Sequence, residues 1–189
     1  MKDVIMAIDP GTQISGYALF KRTDTGPFQL KQYGLIKVPR GKTFQVRCIE
    51  MQFKIRPIFT KHEVTTVVME YPQFQAGMRG MSAARKGNTL TLAFLCGGIT
   101  TNWNLFMLGH FKRTKQELPF VYLTTPSEWK GQLPKAACAK RCFRKYGTVS
   151  NYKESDFNWS DAVMIGDWWI CEDQEMESKP AEEVIRVDL

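Results

Sequence analysis

Residues 4–8 are apolar without interruption and the run ends at Asp9. Residues 64–69 form a second run rich in β-branched side chains, which ends at Glu70. Continuous apolar runs of this length predict strands buried on both faces. Asp9-Pro10-Gly11 predicts a turn after the first strand. Tyr17, Leu19 and their neighbours, then residues 28–38, predict two more strands, with Asp24-Thr25-Gly26-Pro27 turning between them, so the chain opens as a three-strand meander. From Thr43 the period changes. Phe44, Cys48, Met51, Ile55 and Ile58 recur at helical spacing, predicting a helix that packs on the sheet and closes near Pro57. If that helix is a crossover, the strand at 64–69 lies parallel to the first. Pro72, Gly77 and Gly80 mark 71–80 as a loop, followed by a helix at about 82–103, a short strand at 120–123, and helices at 134–146 and about 158–171. The order βββαβαβαα is that of a mixed α/β sheet flanked by helices.

The chain has 189 residues, 43% of them apolar, which suits one domain with a substantial core. We expect that domain to cover 1–172, with an acidic tail over 173–189. No apolar run reaches the roughly 18 residues needed to span a bilayer, and Met1-Lys2-Asp3 lacks the features of a secretory signal. A soluble intracellular protein with no membrane partner is expected. The five cysteines are odd in number and include no C-x-x-C pair, so they are read as reduced and structural. Cys138 and Cys142 lie one helical turn apart, but His62 and His110 have no companions at ligand spacing, and a soft-metal site is not indicated.

Net charge is +7, and its distribution is uneven. Residues 112–145 carry Lys112, Arg113, Lys115, Lys130, Lys135, Lys140, Arg141, Arg144 and Lys145 against Glu117 and Glu128 alone, whereas the charged residues after Ile170 are mostly acidic. A basic body suits a polyanionic substrate whose phosphates meet lysine and arginine. A third carboxylate, Asp161, opens the last apolar helix, where the helix dipole favours its ionised form. Three acids at the ends of rigid elements can hold one or two magnesium ions, with manganese as a substitute. Such a site activates water and stabilises the oxygens of an in-line displacement at phosphorus. Asp9 would bridge the two positions, with Glu70 and Asp161 completing them.

The motifs fit one family. Ile8-Asp9-Pro10-Gly11-Thr12 with Gly16-Tyr17-Ala18, then Val68-Met69-Glu70, then Ser160-Asp161-Ala162, resemble in order and spacing the acidic motifs of RuvC-type Holliday junction resolvases, over residues 4–171. The segment from Thr125-Pro126-Ser127-Glu128-Trp129-Lys130 to Lys135 resembles the phage-encoded branch. The resemblance implies an RNase H-like fold with a five-stranded mixed sheet, a homodimer, divalent metal, and endonucleolytic cutting of branched DNA, in the host cytoplasm if phage-encoded. It implies catalytic roles for Asp9, Glu70 and Asp161, with Lys130 and Lys135 near the scissile phosphate. The fourth acid of the family falls at Asn158, whose amide oxygen would serve as a neutral ligand; Asp156 is read as a surface or capping residue. Tyr71 and Phe74 in the loop after Glu70 are candidates for stacking on unpaired bases, and Arg79, Lys86, Lys140 and Arg141 for phosphate contacts. Trp168 and Trp169 are read as packing. Residues 90–99, with Gly97-Gly98, are the candidate dimer face.

Two other classes share single features. Asp-Pro-Gly-Thr followed by glycine also resembles the phosphate loop of actin-like ATPases and sugar kinases, which need two such domains; this chain is too short for both. The loss of a charge at Asn158 is compatible with a catalytically weak protein that binds branched DNA.

Overall fold

The computed structural model describes residues 3–22, 26–73, 88–114, 121–146 and 157–178. Five strands form one sheet: β1 (Val4–Asp9), β2 (Ile14–Arg22), β3 (Phe28–Lys37), β4 (Thr66–Glu70) and β5 (Val121–Thr124), in the order β3-β2-β1-β4-β5. The meander pairs antiparallel, and β1-β4 and β4-β5 pair parallel. The helices are α1 (Phe44–His62), α2 (Asn88–Thr114), α3 (Pro126–Trp129), α4 (Lys135–Tyr146) and α5 (Phe157–Ser178).

Side-chain alternation along β1 explains the layers. Val4, Met6 and Ile8 join α1 and α2 in one apolar cluster, whereas Ile5 and Ala7 join α4 and α5 in another. β4 alternates likewise: Val67 and Met69 belong to the first cluster and Val68 to the second. The next residue in step with Ile5 and Ala7 is Asp9, and the next in step with Val68 is Glu70. Both acids therefore fall on the α5 side of the sheet.

Several boundaries differ from the sequence reading. α1 runs through Pro57 to His62. Buried Ile55 and Phe59 on either side of the proline hold the helix against the sheet, offsetting its interior penalty of about 3 kcal/mol. The helix ends instead at Glu63 in the left-handed region (φ 50°), with Val64 N–H donating to the Phe59 carbonyl at 3.1 Å. α2 extends to Thr114, 11 residues past the expected end, carrying buried Trp103 and Met107 along the sheet. The last helix, expected to end at about 171, continues as α5 to Ser178. α3 was absent from the sequence reading altogether. The cysteines are free thiols; four are buried and Cys171 is exposed. Trp169 packs on Tyr122 with ring centroids 4.0 Å apart, as its packing role requires. Among the described residues no helix is long and apolar enough to cross a membrane.

Candidate metal centre and nucleic-acid interface

Glycine brings the third acid to the other two. Asp9 is paired across the sheet with Gly16 of β2, and a Cβ added to Gly16 would lie 1.9 Å from the backbone oxygen of Asn158. Only glycine lets the first turn of α5 rest directly on β2 beside Asp9. The same device recurs two turns later, where a Cβ on Gly166 would lie 2.3 Å from the Phe20 ring. Trp159 locks this end of α5, stacking on Tyr33 of β3 at 4.4 Å and meeting Phe143 of α4 edge-on at 5.2 Å; aromatic pairs of this kind contribute about 0.5–1.5 kcal/mol each beyond burial.

Asp161 follows on the next turn and is 1% exposed. It lies beyond the first turn of α5, contrary to the sequence reading, and the helix dipole fades over that distance. Its charge is met instead by Lys135, whose Nζ lies 3.0 Å from Oδ2. The other oxygen, Oδ1, is buried and has no hydrogen-bond partner. Glu70 has a comparable arrangement: Trp129 donates its indole N–H to Oε2 at 2.7 Å, and Lys130 Nζ stands 4.0 Å from the same oxygen.

The electrostatics join these groups into one cluster. Burial, then the charges of Glu70 and Asp161, push the Asp9 carboxyl up to about 8, against a smaller opposing pull from Lys135 and Lys130. Burial also raises Glu70, although Lys130 and the Trp129 hydrogen bond oppose it. Burial pulls Lys135 down, but Asp161, Asp9 and Glu70 together outweigh that and raise it. Acids 152 residues apart in sequence thus act on one another as neighbours.

The donor set suits a hard divalent cation: carboxylate oxygens, an orphaned buried oxygen on Asp161, and an Asp9 carboxyl raised by burial and by two neighbouring acids, whose ionised form a cation would favour. Among the described residues, no three histidine, cysteine or acidic side chains, as they lie here, are grouped closely enough to hold one metal ion between them. Glu70 and Asp161 each have one oxygen engaged by the 129–135 segment. Asn158, half-buried, sits one helical turn before Asp161, on the same face of α5.

Around the acids, Tyr71 follows Glu70 directly, is 40% exposed, and has its backbone tied to the Thr124 carbonyl at 2.7 Å. Lys140 and Arg141 are exposed on α4, whose other face buries Cys138, Ala139, Cys142 and Phe143. Phe74, Arg79, Lys86 and Asp156 lie outside the described residues. Two features of the site escaped the sequence reading. Trp129 was not singled out, nor was the short helix α3 that carries it. A readable signal existed: Thr125 with Glu128 three residues on, and Pro126 at the first helical position, is a helix-start signature, and here the Glu128 carboxylate accepts from the Thr125 N–H at 2.6 Å.

The chain is 21% identical over 170 residues to the crossover junction endodeoxyribonuclease RuvC of Gloeobacter violaceus, covering 87% of each chain. It superposes on Thermus thermophilus RuvC with a TM-score of 0.58 at 15% identity, covering 91% of this chain and 96% of that one. The yeast mitochondrial Holliday junction resolvase Ydc2 matches with a TM-score of 0.58 at 12% identity, over 92% and 80% of the two chains. The fold is the RNase H-like fold of RuvC-type resolvases. No protein-family profile matches the sequence. At these identities the likeness is one of architecture, and it agrees with the five-stranded mixed sheet expected from the RuvC-like motifs.

Proposed function

We propose that this protein is a RuvC-type, divalent-metal-dependent endonuclease that hydrolyses phosphodiester bonds in Holliday junctions and related branched DNA. The observation that carries this reading is the convergence of Asp9, Glu70 and Asp161 on one side of the sheet, with Lys130 and Lys135 beside them. It is supported by the RuvC-like fold and by the relative named as a crossover junction endodeoxyribonuclease. The sequence of residues 125–135 favours the phage-encoded branch.

Asp9, Glu70 and Asp161, with the Asn158 amide, would hold magnesium or manganese. The chemistry supplied by such cations is Lewis-acid activation of water and neutralisation of charge on the phosphate and leaving oxygens. The chain does the rest. Lys135 offers further N–H donors beyond the one facing Asp161, and Lys130 lies 4.0 Å from Glu70; both would meet phosphate oxygens as negative charge builds on them. Tyr71 supplies an exposed ring for an unstacked base, and Phe74, three residues on in sequence, is the second candidate. Lys140 and Arg141, with Arg79 and Lys86, would track the DNA backbone.

Cutting opposed strands needs two sites, and the reading includes a homodimer. The α1-α2 face supports it: Phe53 is 66% exposed, Leu90 74% and Phe94 52%, with Phe44 and Phe94 in edge-on contact. Within the sequence-proposed face 90–99, the close approach at Gly98 is to Gln52 of α1 in the same chain, where a Cβ would lie 2.1 Å from its amide nitrogen. Gly97 remains open.

A second reading, a protein that binds junctions without cutting them, is favoured by Asn158 and by the Lys135 contact on Asp161. Magnesium-dependent nicking of a synthetic four-way junction, against Y-shaped and linear duplexes, separates the two. Paired cuts in opposed strands that vanish in Asp9→Asn support the nuclease; tight binding without cuts supports the second reading.

A further inference from the structure

Trp129 has features that a core packing residue does not need. Its indole is 7% exposed and shares an apolar cluster with Val68 of β4, Cys138 of α4 and Ala162 of α5. Within that cluster its N–H reaches Glu70 Oε2 at 2.7 Å, while the Lys130 ammonium lies over its ring, 4.7 Å from the centroid. Both donors on Glu70 converge on Oε2, so Oε1 is the oxygen left for a cation. Asp161 repeats the pattern, with Oδ2 held by Lys135 and Oδ1 unpartnered. The support beneath Trp129 is itself fixed. The Glu128 carboxylate accepts from the Thr125 N–H at 2.6 Å and from the buried Thr124 hydroxyl at 3.2 Å, and Lys130 N–H closes the turn onto the Pro126 carbonyl at 3.1 Å. Thr124 ends β5, directly paired with Glu70.

We infer that Trp129 is a positioning residue of the candidate metal centre, its indole N–H holding Glu70 through Oε2 so that Oε1 is presented to a divalent cation. This rests on the nuclease reading of the site. An outer partner that orients a ligand changes metal affinity while barely touching the fold, whereas a tryptophan that only fills space does not.

The test is direct Mn2+ binding to the full chain, read from the electron paramagnetic resonance signal of free Mn2+, in wild type, Trp129→Phe, Glu70→Ala and the double variant. Phenylalanine keeps most of the ring and removes the N–H. We expect Trp129→Phe to weaken Mn2+ binding about tenfold, and to weaken it no further in the Glu70→Ala background, because it acts through Glu70. Unchanged Mn2+ binding in Trp129→Phe, or an equal loss without Glu70, overturns the inference and leaves the metal centre standing if Glu70→Ala alone binds weakly. Wild type that binds no Mn2+, or binds it as well without Glu70, overturns both. A second measurement needs no tryptophan variant. In 15N-labelled wild type, the Trp129 indole signal should shift on Mg2+ addition while that of Trp103, buried away from the acids, stays put; a stationary Trp129 signal under saturating Mg2+ counts against the inference.

Discussion

The two faces of the sheet are built from the same strands and do different work. Toward α1 and α2 the strands present Val4, Met6, Ile8, Val67 and Met69, large side chains that pack in one cluster with those helices. Toward α5 they present Ile5, Ala7, Ala18 and Val68, with Gly16 at the end of the row, and α5 sinks against the strands until its backbone touches β2. Among the described residues, the first face carries a large apolar cluster and no carboxylate cluster. The second ends in Asp9 and Glu70, which continue the alternation of Ala7 and Val68, and receives Asp161 from the helix lying closest. Proximity of the helix, helped by small residues such as Gly16, brings three separate acids into one electrostatic cluster.

Removing Asp9 should break the contrast most. Asp9→Asn is expected to lower junction cleavage by more than about 100-fold, beyond the loss of an outer partner, with circular dichroism unchanged. Next comes a matched pair of glycines. Gly16→Ala drives a Cβ into the Asn158 backbone and must lift α5, so it should cost about 1–3 kcal/mol in denaturant unfolding and abolish cleavage. Gly98→Ala, on the other face, meets only the end of the Gln52 side chain and should cost less than about 1 kcal/mol with cleavage retained. Equal effects from the two would erase the distinction between the faces. Phe53→Glu should shift the sedimentation coefficient from dimer to monomer while changing monomer stability by no more than about 0.5 kcal/mol.

A smaller effect concerns pH. Asp9, ordinarily ionising near 3.8, is pushed up to about 8 in the fold, so the folded metal-free chain keeps a proton that the unfolded chain has released. Its stabilising contribution is complete below about pH 3.8 and is lost as pH rises through about 8. Thermal melts without metal should therefore decline over that window in wild type more than in Asp9→Asn, and Mg2+ at pH 8 should restore the wild type. The smallest change is Asn158→Asp, which returns a negative charge to the face shared with Asp161. Metal affinity should hold or rise, and a large loss of cleavage in a folded protein would argue against Asn158 as a ligand.

The fold was legible where hydrophobic pattern alone decides. The runs at 4–8 and 64–69, each closing on an acid, located β1, β4 and two of the three carboxylates, and the ordered motifs pointed to the RuvC-like architecture. Boundaries governed by tertiary contact were less visible: α1 passes Pro57 because Ile55 and Phe59 are buried, and α2 outlasts its expected end because Trp103 and Met107 still face the core. α3 is four residues long, too short for periodicity to register, although its cap was written in Thr125 and Glu128. The contacts of Lys135 with Asp161 and Trp129 with Glu70 join residues 26 and 59 positions apart, which no local pattern encodes.

The proposed function stands or falls on whether Asp9, Glu70 and Asp161 together hold divalent cations. A crystal of the full chain soaked in Mn2+ and measured at the manganese absorption edge tests it most directly. Anomalous density bounded by the Asp9, Glu70 and Asp161 carboxylates and lost in Asp9→Asn is expected; density only elsewhere, or none at saturating Mn2+, would refute the metal centre.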